Sequence, residues 1–65
     1  MTRGQVTEFD AVRGIGTVAG PGGAAHWFHA ANIADGSRRI EVGADVVFQP
    51  LPRFGEWEAA QIQPI

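Results

Sequence analysis

Near the middle of the chain the sequence reads IGTVAGPGGAAHWFH, from Ile15 to His29. Two stretches with β-branched or aromatic residues are separated there by a run of glycine and proline. That run supplies left-handed backbone conformations and a preset φ angle, which is typical of a tight turn between antiparallel strands. The pattern therefore predicts a β-hairpin, with strands at Ile15–Ala19 and Ala24–Ala30.

Glycine and proline interrupt the rest of the chain in the same way, and no segment between them is long enough for a helix of about ten residues. The remaining strand candidates lie at Gln5–Asp10, Asp45–Gln49 and Trp57–Gln63. Five strands in 65 residues predict an all-β protein built as a small closed barrel. We also expect a brief helical turn near Asn32–Gly36. Pro50 should face a sheet edge or end its strand, because proline has no amide donor.

Length and composition restrict the class of protein. The chain has 65 residues, of which 45% are hydrophobic and 18% charged, which predicts one compact domain over residues 1–65 and excludes a two-domain enzyme. It has no cysteine, so a disulfide framework and thiolate chemistry are excluded. No apolar signal core follows Met1 and no long apolar run occurs, so we expect a cytoplasmic protein without a membrane partner.

The alternation of side chains along a strand separates core from surface. In the third strand it places His26 and Phe28 on one face and Trp27 and His29 on the other. We expect Trp27 and His29 to lie outside the barrel, and no metal site, because the two histidines face opposite ways. The expected interior consists of Val6, Val18, Phe28, Ile33, Val46, Phe48 and Ile62.

Short motifs follow one another in a set order along nearly the whole chain. They read Gly4-x-Val6-x-x-Phe9-Asp10, Arg13-Gly14-x-Gly16-x-Val18, Trp27-Phe28-His29 with Ile33, Ile40-x-x-Gly43, Val46-x-Phe48 and Ala59-x-x-Ile62. In this order the chain resembles the bacterial cold-shock protein family. The resemblance implies a five-stranded antiparallel oligonucleotide-binding barrel, the OB-fold.

The resemblance also implies a function. In that family single-stranded RNA or DNA lies across the first three strands, with bases stacked on exposed aromatic rings and phosphates met by basic side chains. Stacking is sequence-tolerant because every base has a π face. Arg13 stands in place of the family's lysine beside the glycine motif. The nucleic-acid-binding residues expected from the resemblance and from the long loop are Phe9, Arg13, Trp27, His29, Arg38 and Arg39.

Five ring positions of the family pattern hold other residues in this chain. At about 1 kcal/mol per lost ring, the missing stacking is about 5 kcal/mol, or more than a thousandfold in affinity. We therefore expect weak binding with little sequence specificity. The five positions are Glu8, Ile15, Thr17, Ala30 and Ser37.

Several of these residues also have structural interpretations. Trp27 can shield its neighbours, His29 can be a solvated residue at a strand end, and Arg38 and Arg39 can be a solvated loop pair. Glu8 brings a negative charge to the expected binding face, and the chain has no lysine and a net charge of −2. The alternative function is therefore a protein-interaction module that kept the barrel and lost nucleic-acid binding.

Phe54 and Trp57 have no counterpart in the family pattern. They can extend a nucleic-acid groove, cap the barrel end, or form a protein-binding patch with Val47 and Leu51. Together with the sheet edge expected near Pro50, this aromatic pair is also compatible with a homodimer.

Catalysis and a bound cofactor are not expected. The stretch Gly14–Gly20 has its last glycine out of place for a dinucleotide loop and is followed by no helical pattern. Glu56 and Glu58 are expected as exposed carboxylates on one strand face, without a cavity or partner base for acid–base chemistry.

Overall fold

Five strands account for most of the chain in the computed structural model, which describes every residue from Met1 to Ile65. No helix in it has the length and apolar character needed to cross a membrane. Two short 3₁₀ turns precede and follow β3, at Pro21–Gly23 and Ala30–Asn32. The strands are β1 (Thr2–Asp10), β2 (Ile15–Ala19), β3 (Ala25–His29), β4 (Asp45–Arg53) and β5 (Glu56–Pro64).

The strands close into a barrel in the order β1-β2-β3-β5-β4, with β4 pairing back onto β1. The expected hairpin between β2 and β3 is confirmed by five antiparallel residue pairs. The expectation of a purely antiparallel sheet was wrong. Trp27 of β3 pairs with Glu58 of β5 in parallel, because the long connection after β3 brings the β4–β5 hairpin round to close the barrel. The sheet is therefore mixed.

The interior matches the expectation from side-chain alternation. All seven predicted core residues are buried, and Ala59 joins them in one cluster. The helical turn expected near Asn32–Gly36 instead forms at Ala30–Asn32. Asn32 closes this turn, and Ile33 after it makes a parallel bridge to Ile62 of β5. This bridge anchors the start of the long loop to the core.

Gly16 lies between two aromatic residues in the sheet. It pairs with Phe9 of β1 and with Phe28 of β3, so all three positions face the same side of the sheet. The two rings stack over the glycine, with centroids 5.9 Å apart and planes 5° from parallel. A Cβ at position 16 would lie 2.5 Å from both the Glu8 carbonyl oxygen and the Phe28 ring. The aromatic pair therefore requires a glycine between its members.

The β4–β5 hairpin is longer than the sequence predicted. Its turn consists of Phe54 and Gly55, with φ of 50° and 81°, which is the geometry of a two-residue type I′ turn. Pro50 lies inside β4 rather than at its end, and pairs with Ala59. Beyond Phe48, β4 has no partner in β1, so this part of the strand is a sheet edge where proline is tolerated.

Glu58 was expected to be exposed and is buried. The Arg53 guanidinium donates from Nε to Glu58 Oε1 at 2.9 Å, across the hairpin. The Arg53 side chain remains 54% exposed, whereas that of Glu58 is 10% exposed. Glu58 therefore has a structural role, in which its buried carboxylate is paired with the partly exposed guanidinium of Arg53. The sequence did not predict this burial, because the alternation of side chains along a strand does not reveal a partner on the neighbouring strand.

We predict that Gly16→Ala destabilises the fold by about 2–3 kcal/mol, because the added methyl group overpacks against backbone that cannot rotate away. Urea unfolding followed by tryptophan fluorescence measures the loss. Val12→Ala is the matched control, since Val12 is fully exposed in the neighbouring turn and should change stability by less than about 0.5 kcal/mol. Equal unfolding midpoints for the two variants would show that the close approach at Gly16 is unimportant.

Candidate functional site

The outer surface of β1, β2 and β3 carries two rows of side chains that run across the strands. Residues directly opposite one another on neighbouring strands project from the same face of the sheet. The first row is Glu8, Thr17 and Trp27, and the second is Asp10, Ile15 and His29.

A groove of about 510 Å³ follows these two rows, and we call it the front groove. It brings together four of the six residues predicted for nucleic-acid binding. The two loop arginines, Arg38 and Arg39, do not line it. The residues that do are Glu8, Phe9, Asp10, Arg13, Ile15, Gly16, Thr17, Trp27 and His29.

Trp27 is the largest side chain on this face. Its ring meets the His29 ring edge-to-face, with centroids 5.0 Å apart and planes 84° from parallel. Trp27 is half-buried rather than fully outside, and its Nε1 is covered without a hydrogen-bond partner. The neighbouring ring and the buried edge restrict the indole, so it forms a fixed wall of the groove, whereas His29 is exposed.

Phe9 contributes to the front groove from its edge. Its ring is partly buried, packs against the core and stacks on Phe28. Phe9 therefore has a structural role that Trp27 and His29 do not share. It also lines a second depression, which we call the loop cleft, of about 420 Å³. The loop cleft is lined by Phe9, Ala11, Arg39, Ile40 and Glu41.

The loop arginines are separated by their surroundings. Arg39 lines the loop cleft beside Phe9, and Arg38, with φ of 59°, lines none of the three depressions. The loop before them is shaped by Asp35, whose Oδ1 accepts from the Ser37 backbone N–H at 2.8 Å. This bond, together with one to the Ser37 side chain, holds the pKa of Asp35 below its usual value.

Two residues that position the site were not predicted as site residues from the sequence. Asp10 Oδ1 accepts from the backbone N–H groups of Val12 and Arg13, at 3.0 and 3.1 Å, and so shapes the turn that carries Arg13. Asn32 Oδ1 accepts from the backbone N–H of His29 at 2.8 Å and so ends β3 at that histidine. The signal was present, since Asp and Asn commonly bond nearby backbone in turns.

A third depression, the side hollow, adjoins the front groove. Its volume is about 270 Å³, and it shares Thr17 and Trp27 with the front groove. Trp57, which the resemblance left without a role, forms its far wall. The side hollow is lined by Thr17, Ala25, Trp27, Glu56 and Trp57.

The charges of the front groove are mainly negative. It contains the carboxylates of Glu8 and Asp10 and only one guanidinium, that of Arg13. Arg13 Nε is 3.8 Å from Asp10 Oδ2, and both side chains are substantially exposed, so this ion pair contributes little stability. No group of three or more His, Cys, Asp and Glu side chains is placed to hold a metal ion.

No protein-family model and no curated protein sequence matches this chain.

We predict that Asp10→Ala lowers the stability by about 1 kcal/mol, because the turn loses a charged acceptor for two backbone donors. Asp10→Asn retains an acceptor oxygen and should cost less than about half as much. Chemical denaturation of the two variants measures the difference. If the two substitutions lower the stability equally, the side-chain oxygen of residue 10 does not shape the turn.

Proposed function

We propose that this chain is an OB-fold barrel of the cold-shock type that binds single-stranded RNA or DNA weakly, with little sequence preference, in the front groove. The observation that carries the proposal is the placement of Trp27 and His29 side by side along one groove, together with Phe9 and Arg13. The strand order, with its parallel β3–β5 pair, is compatible with the OB-fold. The groove also lies on strands that OB-folds use for oligonucleotides.

Stacking supplies most of the affinity in this proposal. A nucleobase stacked on an aromatic side chain contributes about 1–3 kcal/mol. Trp27 offers the largest fixed ring surface, and the exposed His29 ring offers a second, adjacent one. Phe9 adds an apolar edge rather than a free face, because its ring already stacks on Phe28.

Phosphate contacts supply little affinity. Only Arg13 is basic in the front groove, and Arg39 lies in the loop cleft, which shares Phe9 with the front groove. Each phosphate neutralised on a single strand contributes a slope of about −0.7 to the logarithm of affinity against the logarithm of salt concentration. One or two contacts therefore correspond to a slope of about −0.7 to −1.4, which is shallow for a nucleic-acid-binding protein.

We predict that Trp27→Ala weakens binding of a short single-stranded oligonucleotide about 5- to 150-fold, because it removes one stacked base. Fluorescence anisotropy of a labelled strand measures the affinity, and its salt dependence should show the shallow slope above. Phe54→Ala is the control, since Phe54 is a fully exposed ring at the hairpin tip, away from the front groove. Identical affinities for wild type, Trp27→Ala and Phe54→Ala would refute the stacking site.

The excess of carboxylates in the front groove favours a second candidate, the binding of a cationic protein segment. Glu8 is exposed and lines the front groove, so its charge acts directly on whatever occupies the groove. The two candidates respond to removal of this charge in opposite directions.

We predict that Glu8→Gln tightens oligonucleotide binding by up to about fivefold at low salt, because one repulsion of about 1 kcal/mol between nearby charges in water disappears. Asp45→Asn is the control: it changes the net charge equally, and Asp45 lines neither the front groove nor its neighbours. Anisotropy titrations of both variants make the comparison. Weaker binding of an arginine-rich peptide to Glu8→Gln, with no effect on oligonucleotide, would favour the protein-binding candidate.

A further inference from the structure

The side hollow extends the front groove past Trp27 towards β5. Thr17 and Trp27 line both depressions, so the two adjoin at these side chains. In the cold-shock pattern position 17 holds a ring. A single strand that stacks a base against one side of Trp27 can therefore place a neighbouring base in the side hollow.

The walls of the side hollow are held in place by packing. Trp57 lies against the buried His26, with ring centroids 6.0 Å apart, and His26 is itself packed edge-on against Phe48 of the core. Trp27 stands on β3, directly beside the start of β5, where it pairs with Glu58. Both indoles are therefore attached to paired strands rather than to a mobile loop.

The chemistry of the side hollow differs from that of the front groove. Apart from the two tryptophans, its polar residues are Glu56 and Thr17, and it contains no basic side chain. A carboxylate repels phosphate and accepts hydrogen bonds, and two aromatic walls favour a flat ring. The group that fits is thus a base that presents N–H donors, with its phosphates turned outward to solvent.

Among the nucleobases of RNA and DNA, guanine matches a carboxylate best. Its ring N–H and its exocyclic amino group are parallel neighbouring donors, so they can bond both carboxylate oxygens at once, as an arginine fork does. Adenine and cytosine present one amino donor beside an acceptor nitrogen. Uracil and thymine present one N–H between two carbonyl oxygens, which face the carboxylate unfavourably.

The geometry points to the side hollow as a guanine subsite, in which the base stacks between Trp27 and Trp57 and its Watson–Crick edge bonds Glu56. This inference rests on the proposed single-strand binding and gives it a base preference at one position. A bidentate contact of this kind discriminates by about 1–3 kcal/mol. Because Glu56 is exposed, the low end applies, a preference of about fivefold over thymine.

The test uses three strands of about seven nucleotides, within the range that one OB-fold covers. The first contains only thymidine, the second has one central guanosine, and the third has inosine at that position, which lacks the exocyclic amino group. Their affinities are measured by anisotropy for wild type, Glu56→Gln and Trp57→Ala. Glu41→Gln is the matched control, because Glu41 is an exposed acid that lines the loop cleft instead.

Wild type and Glu41→Gln should prefer the guanosine strand about fivefold over the thymidine strand, and inosine should lose most of that preference. Glu56→Gln should reduce the preference below about twofold. Trp57→Ala should weaken binding of the guanosine strand and leave the thymidine strand unchanged, with circular dichroism confirming the fold.

The results separate this inference from the function on which it rests. Equal affinity of wild type for all three strands, a preference that survives Glu56→Gln, or inosine equal to guanosine overturns the guanine subsite alone, provided that Trp27→Ala still weakens binding. Failure of every strand to bind wild type overturns the proposed function and this inference together.

Discussion

The Phe9 ring of β1 meets the Phe28 ring of β3 over Gly16 of β2, and this contact fixes how the three strands are oriented in the barrel. Phe9 and Phe28 stack across the glycine, and no side chain fits between them. This pairing sets which residues of β1 and β3 face inward, because neighbours along a strand alternate. Trp27 and His29 flank Phe28 along β3, so the inner stack also determines that they face outward.

The outer face that results is better suited to bases than to phosphates. Two rings meet edge-to-face on β3, while carboxylates from β1 occupy the same groove. Stacking depends on ring area and is little affected by salt, whereas attraction to phosphate depends on net positive charge. Under the proposed function, this surface would hold an unpaired base by stacking, and its carboxylates would not attract nucleic acid from a distance.

The residues at which the chain differs from the pattern that it resembles also affect the shape of the outer surface. Thr17 of β2 and Trp57 of β5 lie on the two strands that flank Trp27 of β3, and all three residues line the side hollow. The sequence comparison revealed only the aromatic rings that are missing from the outer surface. The additional ring of Trp57 on the β5 side follows from the pairing of β3 with β5. These two strands are far apart along the chain and pair in parallel.

Local patterns in the sequence were sufficient to predict the β2–β3 hairpin, the seven core residues and which side chains of β3 face the core. Side-chain alternation and turn chemistry depend on only a few neighbouring residues. They failed where two distant segments meet. The parallel closure, the burial of Glu58 against Arg53 and the pairing of β4 beyond Pro50 arise from contacts across the barrel. Trp57 and Trp27 line the same hollow because of how the barrel closes, and the residues beside either one carry no sign of it.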